Sequence, residues 1–263
     1  MKYGLIGGKL GHSFSKEIHA RLADYEYELK ELPPEGVDEL MTSKDFCAVN
    51  VTIPYKERVL PFMEQIDEGA RRIGSVNTVV NRDGRLCGYN TDYMGMRSLI
   101  LRHCGGLDGK TVLILGGDGG TARTAYAVAT DLGAKAVYRV SRSAKDGFID
   151  YPTALTVDAD VIINTTPVGM FPDTDGMPID VKAFPHLSLV IDAVYNPLRT
   201  PLVLAAQEMG IPAEGGLYML VSQAVYACTH FTGREFGEET FRTVFAKTRS
   251  EKENIVLTGM PGC

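Results

Sequence analysis

The sequence predicts an α/β fold of two sheet-centred units, and three observations carry that reading. Short β-branched runs alternate with amphipathic stretches from residue 2 to residue 192, as they do where parallel strands are joined through helices. The segment Cys104-Gly-Gly-Leu-Asp-Gly-Lys110 interrupts the alternation with turn residues and marks a boundary between units. Just past it, the apolar run Thr111–Leu115 opens into Gly117-Asp118-Gly119-Gly120-Thr121-Ala122, a Gly-rich turn between a strand and a helix. That order makes the second unit a doubly wound, Rossmann-like sheet. A chain of 263 residues is long enough for two cores.

In the first unit, Lys2–Ile6 reads as a strand, followed by a polar Gly-rich turn and a helix at Ser15–Leu22. A strand at Tyr25–Leu32, a helix at Val37–Thr42 and a buried strand at Cys47–Ile53 follow. Pro61–Ile73 reads as one helix, because Phe62, Ile66 and Ile73 recur at helical spacing. Val76–Asn81 and Leu86–Tyr89, joined by Arg82-Asp83-Gly84-Arg85, read as a hairpin closed by an Asp-Gly turn. A helix at Tyr93–His103 ends the unit. In the second unit Thr111–Leu115 is a central strand, Thr121–Leu132 a helix, and Ala136–Val140, Asp160–Asn164 and Leu189–Asp192 further strands. From Gly216 the chain turns helical through Thr232 and again over Glu238–Thr248.

Composition narrows the class of function. With 27 Lys+Arg against 33 Asp+Glu the formal net charge is −6, so no global positive field holds a nucleic acid, though a local basic pocket for one phosphate is compatible. The apolar runs fall far short of the roughly 18 to 20 residues that span a bilayer, and the start, MKYGLIGGKLGHS, lacks a signal-peptide apolar region. Five scattered cysteines without C-x-x-C spacing predict reduced thiols in the cytoplasm and no zinc site. No His or Cys pair recurs at metal-ligand spacing, and no metal is expected.

The chemistry-bearing residues sit in turns at strand ends. Gly117, Asp118, Gly119, Gly120 and Thr121 let backbone amides approach a pyrophosphate at a helix N-terminus, or form an ordinary strand-to-helix turn. Asp118 is out of place there, since its carboxylate repels phosphate unless turned to solvent. After the next strand come Ser141, Arg142, Ser143 and Lys145 with no acid until Asp146. This suits a 2′-phosphate and favours NADP over NAD, or is a solvated turn. Lys56 follows a buried strand that Pro54 ends, while Asn77 and Asn90-Thr91-Asp92 end others. Lys56 and Asp92 are either a proton-transfer pair or a structural ion pair. Ser13 and Ser15 either bind an anion at a helix start or cap the helix. His12 and His19 read more simply as packing residues than as bases.

Together these segments resemble the shikimate dehydrogenase family over residues 3–247. The matching pieces are HSFS at 12–15, NVTIPYK at 50–56, IGSVNT at 73–78, GYNTD at 88–92, GDGGTAR at 117–123, INTTPVGM at 163–170, YNPLRTPL at 195–202 and GLYMLVSQA at 216–224. The resemblance implies an N-terminal α/β substrate-binding domain (1–104), a Rossmann-like NADP-binding domain (105–215), helices packing back on the first domain (216–247) and a tail (248–263). It implies NADPH-dependent, reversible reduction of 3-dehydroshikimate to shikimate in aromatic amino acid biosynthesis, with Lys56 and Asp92 as the catalytic pair. By the same resemblance Ser13 and Ser15 bind the substrate carboxylate. Thr52, Asn77, Asp92 and Gln223 bind its hydroxyls, Tyr195 lines the site, and the backbone at Ala193 and Gly216 touches the nicotinamide end of the cofactor. The chain departs from the family in Lys9 and Lys16 where Pro is usual, in a Gly116–Gly120 loop one residue longer than the common form, with Asp118 at a usually small apolar place, and in a second cation at Lys145 where the family places it at position 146.

Three further readings stand beside this one. An NAD-preferring quinate/shikimate dehydrogenase would share the same motifs, and so would a non-catalytic ligand-sensing module. At the end of the chain, Asn254-Ile-Val-Leu-Thr258 before Gly259-Met-Pro-Gly-Cys263 looks like the opening of a P-loop. It predicts a covalent fusion to a shikimate kinase.

Overall fold

The computed structural model describes residues 1–11, 13–144 and 147–253, so the expectations for His12, Lys145 and the 254–263 tail lie outside the described residues. The first unit comprises β1 (Tyr3–Gly7), α1 (Ser15–Leu22), β2 (Tyr27–Glu31), α2 (Pro34–Ser43), β3 (Ala48–Val51), β4 (Gln65–Ile66), α3 (Glu68–Ile73), β5 (Thr78–Arg82), β6 (Arg85–Tyr89) and α4 (Thr91–His103). Its strands form one sheet in the order β2-β1-β3-β5-β6-β4. The β5–β6 hairpin turns on Asp83 and Gly84, both at positive φ (52° and 84°), the backbone that an Asp-Gly turn supplies.

The second unit comprises β7 (Thr111–Leu115), α5 (Gly120–Asp131), β8 (Ala136–Ser141), β9 (Phe148–Asp150), α6 (Tyr151–Ala154), β10 (Val161–Asn164), β11 (Leu189–Asp192), α7 (Pro201–Glu208) and β12 (Ala213–Glu214). Its sheet runs β12-β11-β10-β7-β8-β9, parallel throughout. The chain direction reverses outward from β7, and the crevice at the strands' C-terminal ends is where such sheets take ligands. The last helices are α8 (Leu217–Thr232) and α9 (Glu238–Lys252). No helix of the described residues is long and apolar enough to cross a membrane.

One expected element is corrected. Pro61–Ile73 is not a single helix but a 3₁₀ turn at Leu60–Phe62, then β4, then α3. Backbone bonds to β6 win over helical ones: Glu64 N–H donates to the Leu86 carbonyl at 3.0 Å and Asp67 N–H to Gly88 at 2.9 Å. Asp67 then starts a fresh helix by accepting from Gly69 N–H. Phe62 and Ile66 pack against the first core from a 3₁₀ turn and a strand, so their spacing does not reflect one α-helix. The sequence reading also passes over β9, α6, α7 and β12. Of these α7 carries a legible start, Thr200 as cap followed by Pro201 in its first turn.

Packing joins the units through α4 and α8. Met96, Leu99 and Ile100 of α4 share a core with Ala125 and Val128 of α5 and with Met219 of α8, while Leu217, Val221 and Ala224 of α8 pack on Ile18 and Leu22 of α1. The crossing is close because residue 95 is Gly: a Cβ there would lie 2.7 Å from the Met219 carbonyl oxygen.

His19 is fully buried under this layer, stacked on Tyr27 at 4.0 Å between ring centroids, with Nδ1 2.7 Å from the Tyr25 hydroxyl. It is a packing residue, and burial pulls its pKa down from 6.5 to about 3. The folded state therefore refuses a proton that the unfolded chain takes up below about pH 6.5. His19 costs nothing above that pH and destabilises progressively as pH falls toward 3, by up to about 1.4 kcal/mol per pH unit. In His19→Phe, the decline of unfolding free energy between pH 6.5 and 4.5, followed by urea titration, should be shallower by about one proton; parallel curves for the two proteins would refute this.

Candidate active site

The site begins where β3 ends. Thr52 N–H bonds the Ile6 carbonyl at 2.9 Å and Tyr55 N–H bonds Thr52 at 2.9 Å, while the buried Tyr55 donates its hydroxyl to the Leu32 carbonyl at 2.6 Å. This turn is pinned again at Lys56, whose carbonyl accepts from Val76 N–H at 2.9 Å. Held so, Lys56 reaches Asp92: Nζ to Oδ2 is 2.6 Å, with the two side chains 15% and 12% exposed. Asp92 lies in the first turn of α4 because Asn90 caps that helix, its Oδ1 accepting from Tyr93 N–H at 3.2 Å. A helix start stabilises a carboxylate, so the pair is set by two local structures that each fit their residue.

Asn77 is buried beside them, and its orientation is fixed. The Thr91 amide can only donate, and it lies 2.7 Å from Asn77 Oδ1, so Nδ2 is the free end and donates to Thr91 Oγ1 at 3.1 Å. Thr91 Oγ1 lies 3.4 Å from Gln223 Oε1, and Gln223 Nε2 donates to the Leu220 carbonyl at 3.0 Å. Under this layer Asn50 donates to the Asn77 carbonyl and to Thr78 Oγ1 while accepting from the Tyr27 hydroxyl at 2.8 Å. Asn50 carries no separate role in the sequence reading, and Thr91 enters it only within the Asn90-Thr91-Asp92 strand end. Their signal is polarity at positions that fold to the interior.

Ser13 donates to Ser15 Oγ at 3.1 Å and accepts from Ser15 N–H at 3.3 Å. Phe14 precedes α1 without a side-chain cap bond of its own, and Ser13 Oγ takes the N–H of Ser15, the first residue of α1, so Ser13 meets one amide of the helix start as a cap does. Phe14 packs edge-on to Tyr195 at 5.2 Å between centroids, and burial pushes the Tyr195 phenol up. Thr52 sits against Gly7, with its hydroxyl outside the Asn77 network.

Across the cleft, Gly116 and Gly117 have φ of 132° and 64°, and both amides bond the Val140 carbonyl. Gly119 caps α5 without a side-chain bond, leaving the first-turn N–H groups free of side-chain caps, as an anion cradle requires. A Cβ at Gly117 would sit 3.3 Å from Ser141 Cβ. The loop therefore adjoins the Ser141-Arg142-Ser143 segment, in which Ser141 is half-buried and Arg142 and Ser143 are exposed. This donor set fits a dinucleotide with a 2′-phosphate. Asp118 is exposed and its charge is met by Arg139 at 3.1 Å and Arg123 at 3.8 Å, which answers the electrostatic objection to an acid in this loop. Ala193 and Gly216 meet, as the Ala193 carbonyl would be struck by any Cβ at Gly216. Asp192 supports that corner: buried, with its pKa raised by desolvation, it accepts from Asn164 at 2.9 Å, Val194 N–H at 3.0 Å and Thr200 at 2.6 Å.

The two halves touch at the Lys56 turn. The position a Cβ would take on Gly120 lies 3.8 Å from Lys56 Cδ and 3.3 Å from Ser75 Oγ, so the Gly-rich loop rests directly on the lysine turn.

Comparison with known proteins points to one family. Residues 5–79 match the family model described as the shikimate dehydrogenase substrate binding domain. The chain is 38% identical over 261 residues to a shikimate dehydrogenase (NADP(+)) of Halothermothrix orenii, covering 88% of this chain and 90% of that protein. Shikimate dehydrogenase 1 of Peptoclostridium difficile superposes with a TM-score of 0.89 at 32% identity, covering 97% of this chain and all of that one. The Thermus thermophilus shikimate 5-dehydrogenase, solved in complex with NADP(H) and shikimate, superposes with a TM-score of 0.82 at 27% identity, over 94% of this chain and 99% of that one.

The Ala193–Gly216 contact yields a test of the corner. Gly216→Ala forces backbone against backbone and should cost about 1–3 kcal/mol, the usual range for overpacking. Thermal melts should show Tm lower by several degrees, and an unchanged Tm would mean that the corner is slacker than its geometry.

Proposed function

The chain belongs to the shikimate dehydrogenase family, and from that premise we infer that it catalyses the NADPH-dependent, reversible reduction of 3-dehydroshikimate to shikimate in aromatic amino acid biosynthesis. It is an NADP-dependent oxidoreductase of a CH–OH group. The observation that carries the site assignment is the 2.6 Å Lys56–Asp92 pair seated against Gly120 of the Gly-rich loop.

NADPH, when bound, supplies the hydride. As negative charge grows on the C3 oxygen of the substrate, the Lys56 ammonium donates a strong hydrogen bond and then a proton to it. Asp92 holds Nζ at a fixed place, so the donor is already aimed when charge develops and little reorganisation is needed. In the oxidation direction the same nitrogen takes the proton back. Asn77 presents a donor to a substrate hydroxyl, because its carbonyl is engaged by the Thr91 amide. Gln223 and Thr52 serve further hydroxyls, and Tyr195 lines the site. Ser13 and Ser15 receive the carboxylate.

On the cofactor side Gly117, Asp118, Gly119, Gly120 and Thr121 form the pyrophosphate turn, with Asp118 kept neutral in effect by Arg139 and Arg123. Ser141, Arg142 and Ser143 take the 2′-phosphate, and the backbone at Ala193 and Gly216 takes the nicotinamide end. The two separate sheets support the division of the chain at residues 104 and 105, with 216–247 returning to the first domain. Cys47, Cys87, Cys104 and Cys228 are free thiols, which supports a cytoplasmic location.

Lys56→Ala should lower kcat by about 10²- to 10⁴-fold, the worth of a positioned proton donor, while shikimate still binds by calorimetry; near-normal turnover would remove Lys56 from the reaction. Arg142→Gln should raise the KM for NADP about tenfold or more, as the loss of a charge-assisted contact does, and leave that for NAD nearly unchanged. Equal effects on the two cofactors would argue against 2′-phosphate recognition. Parallel assays of wild-type protein with shikimate and quinate, each with NADP and NAD, fix the substrate and cofactor preference.

A further inference from the structure

Lys56 and the Gly-rich loop stand on different sheets, so the reaction needs them held in register. The contacts across that seam converge on Arg123, in the first turn of α5. Its Nη2 donates to Glu57, the residue after Lys56, and to the Gly74 carbonyl at 3.5 Å, while Nη1 lies 3.8 Å from Asp118 of the loop. Gly74 is the left-handed cap of α3 and precedes Ser75. Ser75 is fully buried, its hydroxyl has no hydrogen-bond partner, and it faces Gly120. One guanidinium thus ties together the turn that carries Lys56, the end of α3 and the cofactor loop.

We propose that Arg123 is a positioning residue that sets the register of the Gly-rich loop against the Lys56 turn by clasping Glu57 and the Gly74 carbonyl. The inference rests on the role of Lys56 given above. Stability does not account for the arrangement: Glu57 is 61% exposed, an ion pair that open adds little, and the Arg123 Nε–H is buried without a partner, which is a cost. What the planar fork supplies is geometry, and reactions between held groups are sensitive to small misplacements. A second tie at the other end of α5 provides the control. Asp131 pairs with Arg72 of α3 and accepts from the Tyr93 hydroxyl at 2.6 Å, joining the same two units away from Lys56.

The test uses the full chain and the variants Arg123→Gln, Glu57→Gln, the double variant and Asp131→Asn. For each, kcat and KM are measured for shikimate with NADP, NADP affinity by calorimetry, Tm by circular dichroism, and amide exchange of residues 116–122 and 52–57 by mass spectrometry. Each single clasp variant should lose about tenfold or more in kcat, with shikimate KM and NADP Kd within about threefold of wild type. The double variant should be no worse than the worse single, because the two residues act as one unit. Asp131→Asn should keep kcat within about twofold, and exchange should quicken in both segments of the clasp variants. Unchanged kcat in the clasp variants, multiplying losses in the double, or an equal loss in Asp131→Asn would each overturn the proposal. If Arg123→Gln does not fold, the exposed Glu57→Gln carries the test alone. A wild-type protein inactive on shikimate would refute the functional reading instead, and the exchange data would then still decide whether the clasp couples the two segments.

Discussion

A lysine ammonium and a carboxylate held 2.6 Å apart with little solvent contact must each be delivered by rigid backbone, because two charges withdrawn from water repay their desolvation only in good geometry. The rest of the first unit is arranged around that demand. The Thr52–Tyr55 turn and the Val76 amide fix Lys56, and the Asn90 cap places Asp92 in the first turn of α4. The hydrogen-bonded chain from Tyr27 through Asn50, Asn77 and Thr91 to Gln223 gives each of these side chains a partner and fixes the orientation of Asn77. Such networks favour a single arrangement when they are satisfied.

The second unit meets this pair from across a seam, and the seam explains the layout of the helices. α4 contributes Asp92 at one end and core side chains along its length, while α8 leaves the Ala193–Gly216 corner and returns to α1. The helix that closes the core is thus also the one that supplies Gln223. Gly95 and Gly216 let backbones approach at two tight points. A shift of either helix would move groups on both sides of the cleft together.

The Gly-rich loop shows a local conflict settled by distant residues. An acid in a phosphate cradle is unfavourable by itself, and Asp118 is tolerable because Arg139 reaches it from β8 and Arg123 from α5. Arg139 in turn lies over the Phe148 ring at 4.2 Å, which anchors the guanidinium. Asp118 and its two cations therefore form one feature.

Much of this is legible in the residues alone, because it depends on local chemistry. The strand Thr111–Leu115 and the strand Leu189–Asp192 follow from apolar β-branched runs, the Asp83-Gly84 hairpin from the backbone those residues permit, and the Gly-rich turn from its place between a strand and a helix. The motif order also makes the family resemblance recognisable. What local pattern does not decide is anything set by a partner far away in sequence. Phe62, Ile66 and Ile73 are spaced like one helix, yet β6 draws Gln65–Ile66 into an edge strand between a 3₁₀ turn and α3. Ser13 and Ser15 look alike in the sequence, yet Ser13 Oγ takes the first amide of α1 while Ser15 lies within the helix. Asn50, Thr91, Asp192 and Arg123 gain meaning only through the groups they reach. Most of the elements and the whole chemical inventory are written in neighbouring residues and can be read there. Which charges meet is settled only when the chain folds, because the 2.6 Å contact between Lys56 and Asp92 is made across 36 positions of chain.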